Sequence, residues 1–110
     1  MCGRFGASYR DLKKVWNLHG EFSFAKRYNI APSQEVPVII RNDGHNEAKL
    51  MKWGLVPSWA PDSSMGQRMI NARSETLLEK PSFRHAVQKR RCLVPANGFY
   101  EWRRAYPHRK

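Results

Sequence analysis

The pair Met1-Cys2 sets the chemistry this chain can reach. Methionine is trimmed from a new chain when a small residue such as cysteine follows it. That leaves Cys2 with an α-amine and a thiol on one residue. Ordinary pKa values of about 8 for such an amine and about 8.5 for a thiol leave both partly reactive near neutral pH. An aldehyde meeting them forms a Schiff base with the amine, and the thiol then closes a five-membered thiazolidine ring. A lone cysteine is also a small buried hydrophobe in many cores, so position 2 by itself leaves both readings open.

A second reactive candidate lies at the other end. From Arg84 to Lys110 there are eight Lys or Arg and one acid, a net +7 out of the chain's +11. The acid is Glu101, set in Phe99-Tyr100-Glu101-Trp102-Arg103-Arg104. A carboxylate among aromatics and arginines is either a structural counter-ion or a catalytic acid/base.

These residues must be positioned by a small domain of 110 residues, with 41% hydrophobic residues and 12% aromatics, enough for a core. A formal charge of +11 and a pI near 10.3 point to a polyanionic partner. No stretch nears the roughly 20 apolar residues of a membrane span, and no basic-then-apolar N-terminus marks a secretory signal. Cys2 and Cys92 form no disulfide framework, and His19, His45, His85 and His108 are scattered without metal-ligand spacing. No metal and no cofactor is assigned, and the expected setting is the reduced cytoplasm.

Ser8 to Asp11 has the pattern of a helix start with Ser8 as N-cap. Leu12, Val15 and Trp16 follow at helical spacing toward the core, with Gly20 as the stop. Within Phe22 to Ser33, Arg27 to Ser33 is predicted extended and ending in a turn. Val36 to Ile40 is a strand, placed at an edge or a beginning by Pro37. Asn42-Asp43-Gly44 turns it into a returning arm, Lys49 to Trp53. The Trp53–Pro61 loop is rich in Trp and Pro. A short helix is expected over Glu75–Glu79, and Pro81 suits the first turn of another that carries Phe83, Val87 and the basic run Lys89-Arg90-Arg91. Cys92–Pro95 and Phe99–Trp102 read as two strands joined across Ala96-Asn97-Gly98. Strands interspersed with short helices predict an α+β fold. The last strand runs toward a turn with no returning arm, so the expectation is the N-terminal half of a longer domain.

Five segments occur in order: Met1-Cys2-Gly3-Arg4-Phe5, Arg27-Tyr28-Asn29-Ile30-Ala31-Pro32, Trp53-Gly54-Leu55-Val56-Pro57-Ser58-Trp59, Ile70-Asn71-Ala72-Arg73-Ser74-Glu75 and Gly98-Phe99-Tyr100-Glu101-Trp102. Together they resemble the SRAP family, the SOS-response-associated peptidases. The resemblance covers residues 1–110 as the N-terminal half of that family's domain, a β-rich fold with a partly barrel-like sheet and short flanking helices. It implies binding of abasic sites in single-stranded DNA at stalled forks, where replication-fork proteins are the expected neighbours, and a covalent thiazolidine link through Cys2. By motif, Cys2 is the nucleophile, Asn71 orients sugar or amine, and Glu101 moves protons. Arg4 and Arg73 would hold phosphates, Pro32 and Trp59 would wedge against bases, and Trp102 would line the same cleft. Trp53, Phe99 and Tyr100 are assigned to the core. The resemblance further implies lyase or autopeptidase activity, a monomer, and association with the nucleoid when DNA is bound. The family's histidine lies in a downstream HxRMP-type motif that has no counterpart here. The competing readings are a non-covalent single-stranded-DNA binding module and a thiol peptidase.

Overall fold

A computed structural model describes residues 2–20 and 23–103. Met1, Glu21, Phe22 and residues 104–110 lie outside the described residues, and with them fall methionine removal and the terminal turn with His108.

Asp43 and Gly44 both take positive φ, 49° and 78°, as a tight two-residue hairpin turn requires. They join β3 (Glu35–Asn42) to β4 (His45–Lys52), which pair continuously from Glu35↔Lys52 to Asn42↔His45. Pro37 is accommodated because β3 has a single full-length ladder partner, an edge in the sense expected from the sequence. On the free side of β3, Ile39 and Leu93 exchange both backbone hydrogen bonds at 2.9 Å.

A second sheet has the order β2-β1-β5, with β1 (Phe5–Ala7) between β2 (Arg27–Ile30) and β5 (Gly98–Phe99). The two sheets share one core of Phe5, Ala7, Tyr9, Leu12, Leu18, Ile30, Val36, Val38 and Ile39. Trp53 packs against it edge-on to Phe5, with ring centroids 5.4 Å apart. The fold is mixed α and β as expected, but the described residues form two separate small sheets and no closed barrel.

Several local expectations give way to longer-range pairing. Helix α1 spans only Leu12–Val15 and is preceded by Asp11 in the left-handed region, while the Ser8 N–H donates to Asn97 Oδ1 instead of Ser8 capping the helix. Tyr9 explains the delay: its ring is drawn into the core against Phe24, so the chain must turn before it can coil. Only Leu12 of the expected apolar stripe is buried; Val15 and Trp16 face solvent, and Asn17 at φ 50° ends the helix before Gly20. Residues 75–79 form successive turns rather than a helix, with Thr76 N–H bonded to Arg73 O and Glu79 N–H to Thr76 O. Helix α2 (Pro81–Lys89) starts with proline in its first turn, where a missing N–H costs nothing. Residues 92–102 are not one hairpin: Leu93 pairs with Ile39, and Phe99 pairs with Phe5.

The Trp-rich loop is pinched at its base. Gly54 has φ 135°, and a Cβ there would run into the Gly66 carbonyl at the end of the loop, in the 3-10 turn Ser63–Gln67. Only glycine permits that crossing.

Candidate active site

The lead into β1 carries Cys2 and Arg4, and the core cluster seats Cys2 half-buried against it. The Cys2 thiol donates to the Arg4 carbonyl at 3.5 Å. Asn71 reaches across from the segment after the Trp loop, and its Nδ2 donates to the Cys2 carbonyl at 2.8 Å. Asn71 is itself located by its neighbour, since the Trp53 indole N–H donates to the Ile70 carbonyl at 2.9 Å. The chain around residue 2 is thus pinned from two sides, which is what a reaction needing a fixed amine and thiol requires.

The β1–β5 ladder ends two residues before the acid. Phe5 pairs with Phe99, and the Tyr100 N–H bonds the Arg4 carbonyl at 2.9 Å. The paired residues end at Phe99, and Glu101 follows Tyr100 in the chain. Glu101 is exposed and stands just beyond β5 rather than within a strand. Arg4 extends to Asn29, whose Oδ1 accepts from Arg4 Nη1 at 3.1 Å.

The other expected contact residues are less closely gathered. Arg73 is exposed two residues beyond Asn71, and Pro32 is half-buried in the turn between β2 and β3. That turn is tied to the Trp loop by the Ser33 N–H bond to the Trp53 carbonyl. Trp59 stands 57% exposed on the loop, and Trp102 is fully exposed. Phe99 and Tyr100, assigned to the core from sequence, are both exposed, because β5 is an edge strand among the described residues and the core stops at β1. Burial pushes the Cys92 thiol above its ordinary pKa, away from the nucleophilic thiolate. Among the described residues no three His, Cys, Asp or Glu gather as a metal site, and no helix is long and apolar enough to cross a membrane.

Sequence reasoning gave no role to Asn29, which accepts from Arg4. Burial along β2 runs half-buried, exposed, exposed, buried, and this break in strand alternation depends on pairing that the residue types do not announce.

The family model described as SOS response associated peptidase (SRAP) matches residues 1–110. The chain is 44% identical, over all of its length and 51% of the relative's, to the abasic site processing protein YoqW of Bacillus subtilis (strain 168). It is 38% identical to the abasic site processing protein HMCES of Rattus norvegicus, over 74% of this chain and 26% of that one. A crystal structure of a protein from Bordetella bronchiseptica superposes with a TM-score of 0.69 at 26% identity, covering 91% of this chain and 50% of the other. The chain spans about half the length of the Bacillus relatives it matches.

Proposed function

The chain belongs to the SRAP family, and from that footing we propose that it processes abasic sites in single-stranded DNA by capturing the ring-opened sugar on Cys2. The observation that carries this reading is the Asn71-to-Cys2 hydrogen bond, which joins the two expected reacting motifs across the fold. The names of the Bacillus and rat relatives support the same substrate.

In the proposed reaction the Cys2 amine adds to the aldehyde carbon to give a carbinolamine. Loss of its hydroxyl as water leaves an imine. The thiol sulfur then adds to the imine carbon and its proton passes to nitrogen, so one water is released per thiazolidine formed. Asn71 fixes the Cys2 backbone so that amine and thiol face one carbon. Glu101 gives the proton that the departing hydroxyl needs and takes it back on reversal. Arg4 and Arg73 hold flanking phosphates, with Pro32, Trp59 and Trp102 against neighbouring bases.

The test is a denaturing gel shift with an abasic oligonucleotide. A heat-stable adduct is expected from the chain whose Met1 has been removed. None is expected from Cys2→Ala or from protein that retains Met1. Equal adduct from Cys2→Ala and the parent chain overturns the mechanism. DNA retention on native gels with no denaturation-resistant adduct favours a purely non-covalent module.

A further inference from the structure

Half-buried Arg27 opens the motif that carries Pro32, and its guanidinium is engaged within the fold. Nη1 donates to the Glu35 carbonyl at 2.6 Å, and Nη2 donates to Gln34 Oε1 at 2.7 Å. The Ala31 N–H donates to the same oxygen at 3.0 Å. Two donors converge there, so only the amide oxygen of Gln34 can face them. Arg27 thereby bridges β2 to the start of β3, and Gln34 closes the bridge over the turn between them.

Pro32 takes the second position of that turn and Ser33 the third, with φ 73°, and the Gln34 N–H returns to the Ala31 carbonyl at 3.3 Å. This matches a type II turn, whose third position ordinarily goes to glycine or asparagine. A serine in the left-handed region persists because its surroundings hold it there. Besides Gln34, the holding group is Trp53. The Ser33 N–H donates to the Trp53 carbonyl at 2.9 Å, and the Trp53 N–H donates to the Gln34 carbonyl at 3.0 Å. Trp53 also reaches Ile70 through its indole N–H and Phe5 through its ring edge. Asn71, bonded to the Cys2 carbonyl, follows Ile70 directly. The Pro32 turn and the reacting end of the chain therefore hang on one connected frame.

We propose that Arg27 and Gln34 are positioning residues, which hold Pro32 at a fixed separation from Cys2 so that a strand resting on the turn presents its lesion to the amine and thiol. In a positioned reaction a misplacement of about 1 Å can cost on the order of a hundredfold in rate. Gln34 is exposed, so its hydrogen bonds matter far less to overall stability than to the placement of the turn. The assignment also takes Arg27 out of phosphate binding, despite its place in a strongly basic chain. The proposal rests on abasic DNA being the substrate and on Pro32 meeting it, but not on the covalent step.

The experiment compares binding of single-stranded oligonucleotides with and without a tetrahydrofuran abasic analogue, which cannot crosslink, and follows crosslinking of true abasic DNA at saturating protein. The parent chain prefers the analogue. Gln34→Met keeps the side-chain length but loses the acceptor, and it lowers that preference about two- to tenfold while melting stays close to the parent's. Crosslinking slows by at least the same factor. Gln34→Glu keeps the accepting oxygen and restores both readouts; its added charge weakens the two oligonucleotides alike and cancels in the ratio. Arg27→Met behaves as Gln34→Met does and leaves the salt slope of binding unchanged. In a Pro32→Ala background Gln34→Met has no further effect, because both act through one turn. An effect that persists in full in that background overturns the proposal, as does a loss that merely follows the folded fraction. A salt slope reduced by about one in Arg27→Met overturns it too, by making Arg27 a phosphate contact. A shifted preference without any crosslinking keeps the positioning role and removes the covalent reading. Crosslinking and preference unchanged in every variant do the reverse, and a parent chain with neither preference nor adduct removes both.

Discussion

The β3–β4 hairpin and the β2-β1-β5 sheet share a core but are assembled by different means. The hairpin closes over two residues and pairs along its whole length. The sheet collects three short strands from distant parts of the chain, and β1 makes only two register pairs with each neighbour. Closing long segments for so few pairs is entropically costly, so the sheet depends on the hairpin as a template. The Ile39–Leu93 double hydrogen bond is the point of dependence, since it ties the returning chain to β3 just before β5 joins β1. In the proposed reading the hairpin supplies stability, while the reacting residues come from the approaches of the sheet and from the segment that carries Asn71.

The largest expected effect comes from striking that template. Ile39→Ala removes a buried side chain at the junction and should cost about 2–5 kcal/mol, enough to threaten a domain this small. Thermal melts should fall, and crosslinking should fall with the folded fraction. A full-strength melt would show that the sheet stands without its template.

Glu101→Gln should do the opposite. The residue is exposed, so stability should move by less than about 0.5 kcal/mol. Crosslink formation, its reversal or both should slow by roughly 10²–10⁴-fold at saturating protein. Unchanged rates would reduce Glu101 to a counter-ion. A lowered melt would place it in the scaffold and erase the separation of roles.

The smallest effect is confined to alkaline pH. Burial holds the Tyr9 phenol above its ordinary pKa of 10.0, partly opposed by the Arg27 charge. The neutral phenol's contribution is therefore complete below about pH 10 and is lost as pH rises through the folded-state value. Tyr9→Phe should melt near the parent temperature at pH 7, because the Tyr9 hydroxyl has no partner among the described residues. It should exceed the parent above pH 10. Parallel melting of the two proteins across that range would locate the alkaline loss elsewhere.

The sequence was most legible where the signal was local. Asp43-Gly44 announced its turn and Pro81 its helix, because each needs only its own backbone preference. The motif order also foretold the meeting of Cys2 and Asn71, which composition alone does not reveal. Local signals misled where a distant partner outbid them. Ser8 had the form of a cap, yet its N–H goes to Asn97. Ala96-Asn97-Gly98 had the form of a hairpin turn, yet Leu93 and Phe99 pair with β3 and β1 instead of with each other. Asn29 gained its link to Arg4 through the irregular β1–β2 register, which sets two residues of β2 opposite Gly6 and which residue types do not announce.

The pinch of Gly54 against Gly66 has a bearing on how such a protein can change over generations. Gly54 tolerates no side chain without pushing the Gly66 backbone away, and Gly66 is tightly fitted against Val56 and Gly54, so the neck of the loop is constrained while Trp59 at its tip is exposed. The neck therefore fixes where the loop leaves the fold, whatever its exposed tip carries.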